Sequence, residues 1–248
     1  MNDLRIIFMG TPDFAVGILN TLVQKSYAIV GVITAPDKPA GRGRKLQESA
    51  VKKYALEHNL KVLQPTNLKN EAFIQELKDL KPNLQIIVAF RMLPKVVWEI
   101  PKFGTFNLHA SLLPDYRGAA PINWAIINGE TKTGVTTFFI DDKIDTGEII
   151  LQSEININTD DTAGTLHDKL MYLGSDLVIQ TIKEIEKGNI TTKRQPKTPI
   201  EKVAYKIHKE TCEINWDSSI TTIYNHIRGL SPYPTAWTTL YNNGEELF

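Results

Sequence analysis

At 248 residues, 42% hydrophobic and 23% charged, the chain has the balance of a globular protein with room for one large domain, alone or with a small companion, and disorder is excluded. Lys+Arg 28 against Asp+Glu 28 leaves no net charge, so a nucleic-acid partner would have to be met by local basic patches. The single cysteine, Cys212, excludes an internal disulfide and a cysteine-cluster metal site, and the histidines show no His-x-x-x-His spacing, so no metal is expected.

Met1 leads almost at once into an apolar run without the charged-then-apolar pattern of a signal segment. No apolar stretch approaches bilayer length, so the expectation is a cytoplasmic protein without a membrane partner. Residues 4–9, bounded by Gly10, predict a strand covered on both faces. Thr11 predicts a cap for a helix whose first residue is Pro12, with Phe14, Ile18 and Leu22 at helical spacing. Gly10-Thr11-Pro12 lacks the Gly-x-Gly-x-x-Gly of a nucleotide-binding turn and reads as a fold element.

A second strand over 28–34 ends in a Pro/Gly-punctuated loop, 35–45, that carries Lys38, Arg42, Arg44 and Lys45. Such a run is either a solvated surface or, with Gly41 and Gly43 letting it order on contact, a site for phosphates. Residues 47–58 and 71–80 predict helices, and 61–63 and 84–89 predict strands. The alternation implies a doubly wound parallel sheet, whose sites lie beyond the carboxyl ends of its strands.

Residues 105–109 then predict a strand that runs into a shaped loop, with a further element starting near Pro121. Side chains two apart on a strand point the same way, so Asn107 and His109 share one face while Phe106, Leu108 and Ala110 occupy the other. An amide and an imidazole at a strand end can hold an oxygen on which negative charge develops, the chemistry of acyl-type transfer. A bare Asn-x-His is also the mark of a capped loop beside a satisfied histidine, so the spacing alone does not decide.

A short helix over 122–128 and strands over 134–140 and 148–155 follow, the strands joined by a loop with Asp141, Asp142 and Asp145. A carboxylate near His109 would favour the imidazolium and fix the ring. Thr162 opens a long amphipathic helix ending at Lys187-Gly188, in which His167 reads as a surface or boundary residue. The Pro-punctuated stretch around Pro196 and Pro199 is the best linker in the chain. Beyond it come a helix over 220–230, a turn over 231–234 and a strand over 235–241, too little for an independent core, so this segment leans on the first domain or is incomplete.

Taken together, Asn107-x-His109-x-Ser111-Leu112-Leu113-Pro114, Gly118 and Asp145-Thr146-Gly147 resemble the folate-dependent formyltransferases. Within that family, the segments Phe8-Met9-Gly10-Thr11-Pro12-Asp13-Phe14-Ala15 and Lys38-Pro39-Ala40-Gly41-Arg42-Gly43 resemble the branch whose acceptor is methionyl-initiator-tRNA. The resemblance implies an α/β fold: a Rossmann-like doubly wound formyltransferase domain over 1–195, a linker over 196–204, and over 205–248 the truncated start of a small OB-like β domain that binds tRNA. It implies transfer of the formyl group of 10-formyltetrahydrofolate, a cosubstrate, to the methionyl amine for translation initiation, by a monomer without metal. Formylation of a nucleotide-linked amino sugar is the alternative, and a non-catalytic folate- or RNA-binding module a more distant one. Asn107 and His109 are then expected at the oxyanion, Asp145 beside His109, and Ser111, Leu112, Leu113 and Pro114 at the folate, chiefly through backbone groups. The 141–145 loop is expected at the pterin, and Lys38, Arg42, Arg44 and Lys45 at the tRNA acceptor end. One departure lies at Val88-Ala89-Phe90-Arg91-Met92-Leu93-Pro94, where the family usually has Tyr-Gly and slightly greater length before Leu-Pro.

Overall fold

The computed structural model describes residues 4–40, 45–188, 190–197, 201–242 and 245–247. Strand β1 (Arg5–Gly10) is buried because both its faces are apolar: Ile6 and Phe8 enter one core cluster, Ile7 and Met9 another. Helix α1 (Asp13–Gln24) begins one residue later than the sequence implies. Pro12, not Thr11, takes the capping position, since its extended ψ of 176° keeps it outside the helix, and no side chain caps the end.

After β2 (Ala28–Ile33) the chain forms a small antiparallel hairpin, β3 (Lys38–Ala40) with β4 (Lys45–Gln47), where the sequence suggests only a loop. Helix α2 (Ala50–Glu57) starts later than predicted because Ser49 caps it, its Oγ accepting the Lys52 N–H at 3.0 Å. Next come β5 (Val62–Leu63), α3 (Glu71–Asp79) capped by Asn70, β6 (Leu84–Val88), α4 (Lys95–Trp98) and β7 (Thr105–His109). Strand β8 (Arg117–Gly118), α5 (Pro121–Ile127), β9 (Lys132–Phe139), β10 (Ile149–Asn156) and α6 (Ala163–Lys187) complete the body of the molecule.

The main sheet has the order β10-β9-β7-β6-β1-β2-β5. It is parallel from β5 through β7 but antiparallel at β9 and β10, a correction to the all-parallel expectation. The 140–148 connection is too short for the crossover a parallel neighbour needs, so β9 and β10 close as a hairpin. Helices α1, α2, α5 and α6 cover one face, while α3 and α4 cover the other, where Ile7, Met9, Ile33 and Ile87 pack on Phe73, Leu77 and Val97.

The predicted linker is built into this body. Strand β11 (Val203–Ala204) pairs in parallel with β8, and the Tyr116 N–H donates to the Lys202 carbonyl at 2.6 Å. Residues 198–200 lie outside the described residues. After a 3-10 turn (Glu210–Cys212), α7 (Ile220–Gly229) packs on α5 and sends the buried Arg228 back to the main-chain oxygens of Asn158 and Asp161, at 3.2 and 2.9 Å. The segment does lean on the first domain. The final hairpin is β12 (Leu240–Asn242) with β13 (Glu245–Leu247), so the strand expected over 235–241 is mostly absent. In its place Trp237 exchanges backbone hydrogen bonds with Cys212 and Ile214.

Candidate active site

After β2 and β5 extend the sheet on one side of β1, the chain crosses back to place β6 on the other side. The connections that leave the carboxyl ends of β1 and β6 therefore run to opposite faces of the sheet, to α1 and to α4, leaving a crevice at the position where open α/β sheets bind ligands. A cavity of about 640 Å³ lies there, walled by Pro12 and Phe14 beyond β1, by Ala89 and Phe90 beyond β6 and by His109 and Ala110 at the end of β7. It touches both faces of the sheet. Phe14, Leu108 and Ile122 line it from the α1, α5 and α6 side, and Ile87, Leu93 and Ile140 from the α3 and α4 side.

Asn107, His109 and Asp145 all line this cavity, as the strand-face reading implies. His109 is buried, its Nε2 hydrogen-bonded at 2.8 Å to the Tyr116 carbonyl. A carbonyl can only accept, so Nε2 carries the hydrogen and Nδ1 is the nitrogen left for chemistry. Nδ1 stands 3.8 Å from Asp145 Oδ2, which also accepts the Gly118 N–H at 2.9 Å. A neutral His109 therefore has no N–H to offer an oxyanion; it donates from Nδ1 only as the imidazolium whose charge Asp145 balances. Asn107 Oδ1 is buried without a hydrogen-bond partner among the described residues. Leaving such a group unpaired costs about 1–3 kcal/mol, a cost that a bound ligand can remove.

Three of the seven non-glycine residues with positive φ among the described residues lie in or beside the cavity. Ala89, Tyr116 and Asp145 all hold positive φ, 48°, 59° and 53°, which costs a residue with a β-carbon roughly 1–2 kcal/mol. Gly118 has φ +122°, and a β-carbon there would meet the Ala204 oxygen at 2.4 Å. Tyr116 is fixed at its other end too, its hydroxyl donating to Glu130 at 2.6 Å. Burial pushes that phenol far above its usual range, and the bond to Glu130 adds to the effect.

Residues 111–114 stand outside the set that lines the cavity. Ser111 Oγ donates to the Asp115 carbonyl at 2.6 Å, and Leu113 packs on Phe138 and Ile149. Their backbone groups are largely taken by the fold: Thr136 Oγ1 donates to the Ser111 carbonyl and accepts the Leu113 N–H, while Gln152 Nε2 donates to the Leu113 carbonyl. Lys38 is exposed on β3, and Lys45 begins β4. Arg42 and Arg44 lie outside the described residues. The base of the hairpin is anchored at Asp37, which binds Lys52 Nζ at 2.5 Å and Gln64 Nε2 at 2.7 Å; the Lys52 bond, then the Gln64 bond, hold its carboxyl below the usual range. Lys38 shares a second cavity with Thr11 and Pro12, and Pro12 also lines the first, so the basic hairpin stands beside the active-site crevice.

His167 is a polar cavity residue that the sequence reading does not place in the site. His167 lines the wall, its Nδ1 at 2.9 Å from Asp168 Oδ1 and its ring edge-on to Phe14 at 5.3 Å. The helical pattern rightly places it at the boundary of α6, but not opposite Phe14. Lys143 and Arg91 also line the cavity, yet the Arg91 guanidinium is held by the carbonyls of Pro65 and Thr66. Among the described residues no group of His, Cys, Asp and Glu is placed to hold a metal ion.

Known proteins resemble this chain over most of its length. The formyl transferase family profile matches residues 4–182, and that of the formyl transferase C-terminal domain matches residues 206–248. Methionyl-tRNA formyltransferase of Flavobacterium johnsoniae is 67% identical over 247 residues, covering 100% of this chain and 78% of its own. The enzyme of the same name from Flavobacterium psychrophilum is 62% identical, over 99% of this chain and 78% of its own. Among solved structures, an N-formyltransferase from Helicobacter canadensis, in complex with folinic acid and dTDP-3-aminofucose, is 26% identical with a TM-score of 0.66, over 91% of this chain and 80% of that one.

Proposed function

The chain belongs to the formyl transferase family, and on that premise we propose that it transfers the formyl group of 10-formyltetrahydrofolate to the free amine of methionyl-initiator-tRNA, giving formylmethionyl-tRNA for translation initiation. The observation that carries the chemistry is the convergence, in one crevice, of Asn107, whose Oδ1 is unpaired among the described residues, with a His109–Asp145 pair 3.8 Å apart.

The methionyl amine attacks the formyl carbon, and the carbonyl oxygen becomes a tetrahedral oxyanion. The Asn107 amide and the His109 Nδ1–H stabilise it; one such donor is typically worth about 3 kcal/mol. Asp145 balances the imidazolium and helps the attacking amine lose its proton, and collapse of the intermediate expels the tetrahydrofolate nitrogen, which takes up a proton. No bond between enzyme and formyl group is required.

The pterin lies on the side walled by residues 89–93 and 140–145. Residues 111–114 serve the folate differently from the sequence expectation: Ser111 and Leu113 anchor the turn, and the half-buried Leu112 and Pro114 offer contact at its shoulder. Lys38, Arg42, Arg44 and Lys45 meet the phosphates of the tRNA acceptor end, which makes activity salt-sensitive because each neutralised phosphate releases counterions. Residues 1–195 form the catalytic unit, 196–204 a connection and 205–248 a C-terminal part that serves tRNA binding. Among the described residues no helix is long and apolar enough to cross a membrane. We place it, as an enzyme of translation initiation, in the cytoplasm, acting as a monomer.

The sugar-acceptor alternative is disfavoured because the relatives that share most of this sequence are named for methionyl-tRNA, whereas the sugar-bound structure shares about a quarter of it. Formyl transfer from 10-formyltetrahydrofolate is tested with methionyl-tRNA and, in parallel, with a nucleotide-linked amino sugar. Only the tRNA is expected to accept; transfer to the sugar alone overturns the assignment. Arg42→Ala should raise KM for the tRNA and leave KM for the folate unchanged.

A further inference from the structure

The catalytic role given above to Asp145 leaves open what holds it. Its φ of 53° is unfavourable for a residue with a β-carbon, and the exposed side chains around it on the 141–147 loop supply little packing. Two residues from outside the loop grip its backbone. The Asp145 carbonyl accepts from Arg117 Nε at 3.0 Å and from Gln195 Nε2 at 2.9 Å, and Gln195 Nε2 also donates to the Gly147 carbonyl at 2.9 Å. Gln195 Oε1 is held in turn by Arg117 Nε and Nη2, at 3.0 and 2.6 Å. A guanidinium only donates and a carbonyl only accepts, so the Gln195 amide has one workable orientation: oxygen to Arg117, nitrogen to the loop.

Arg117 is itself fixed by β8. Tyr116 and Ala119, on either side, donate their N–H groups to the carbonyls of Lys202 and Ala204, at 2.6 and 2.7 Å. The next residue, Gly118, gives its N–H to the Asp145 carboxylate at 2.9 Å. The carboxylate thus depends on Gly118, and its backbone on Arg117 and Gln195. Neither side chain is among those that line the cavity.

We propose that Gln195 and Arg117 are positioning residues for the transfer reaction: a clamp that holds the 141–147 loop in its strained form so that the Asp145 carboxylate faces His109. They act through Asp145 rather than on substrate, which makes the effect separable from loss of binding. The proposal rests on the assignment of Asp145 to the active site.

The test is a double-mutant cycle on the full chain with steady-state formyl transfer as readout. Gln195→Met keeps length and removes both donation and acceptance. It is expected to lower kcat about 10-fold, since small misplacement of a catalytic group is costly, with KM for folate and acceptor within about 2-fold. In an Asp145→Ala background the same substitution should change the residual rate by less than about 2-fold, because the group it positions is gone. Gln195→Glu, nearly isosteric, keeps the bond to Arg117 but sets an acceptor against the Asp145 and Gly147 carbonyls, so it should not rescue kcat. An equal loss in the Asp145→Ala background, wild-type kcat in Gln195→Glu, or a rise in KM with kcat unchanged would overturn the clamp. If Asp145→Ala itself leaves turnover within a few-fold of wild type, the active-site assignment fails; if it abolishes turnover while Gln195→Met is silent, only the clamp fails.

Discussion

The turn over 111–114 and the end of β7 adjoin in sequence, yet they treat polar groups in opposite ways. In the turn, Ser111 and Leu113 have hydrogen-bond partners supplied by Asp115, Thr136 and Gln152. At the strand end, Asn107 Oδ1 is buried with no partner among the described residues, and His109 Nδ1 faces Asp145 at 3.8 Å, beyond a direct hydrogen bond. The fold satisfies its scaffold and keeps the cavity face unsatisfied. Both open atoms are acceptors as they stand, Asn107 Oδ1 by nature and His109 Nδ1 in the neutral ring, so they are open to the donor groups of a ligand.

Removing the unsatisfied groups should therefore damage chemistry and spare stability. Asn107→Ala and His109→Ala are each expected to lower kcat by about 10²–10³ with small changes in KM, as read by steady-state formyl transfer. Turnover within a few-fold of wild type would remove these residues from the oxyanion site. The satisfied turn should respond in reverse. Thr136→Val preserves shape but strands the buried Leu113 N–H and Ser111 carbonyl, so stability should fall by roughly 2–3 kcal/mol in denaturant unfolding, with kcat hurt less than by Asn107→Ala.

A second satisfied cluster sharpens the contrast through pH. Burial works against ionisation of Asp161, but Lys169, the Asn158 N–H and Thr165 overcome it and hold the carboxyl below the usual range. A depressed carboxyl stabilises the folded state above its unfolded pKa and loses that contribution as pH falls through the folded value. The stability gap between wild type and Asp161→Asn should thus be full at neutral pH and shrink as pH drops below about 4. A gap constant with pH would mean that the charge of Asp161 is not what the cluster uses. The smallest effect is expected at Arg91, whose guanidinium is occupied by Pro65 and Thr66: Arg91→Ala should leave KM for folate within about 2-fold, measured by folate titration.

Much of this was legible beforehand. Alternation along 105–109 put Asn107 and His109 on one face, and Thr162 marked a helix start that the structure retains. The crevice at the ends of the parallel strands followed from strand-helix alternation alone. Misreadings occurred where neighbours outside the segment decide: 235–239 took no ladder pairing because Cys212 and Ile214 claim the backbone of Trp237, and the apparent linker became β11 because β8 offered it an edge. Nothing local to Gln195 marks it as more than a polar residue before Pro196; its role depends on the folded chain bringing Arg117 and Asp145 beside it.

By itself, then, the sequence determined which residues share a face, where most helices begin, and which motif carries the chemistry, because these follow from periods of two and 3.6 residues and from the intrinsic chemistry of side chains. Tertiary structure alone decided that Asp145 stands opposite His109, that Nε2 of His109 is taken by Tyr116 so that Nδ1 is the nitrogen left open, that Thr136 locks the 111–114 turn, and that His167 enters the cavity. Each of those contacts joins segments whose meeting is set by strand order and crossover rather than by local preference, and hydrogen bonding, unlike periodicity, is fixed only when both partners have arrived.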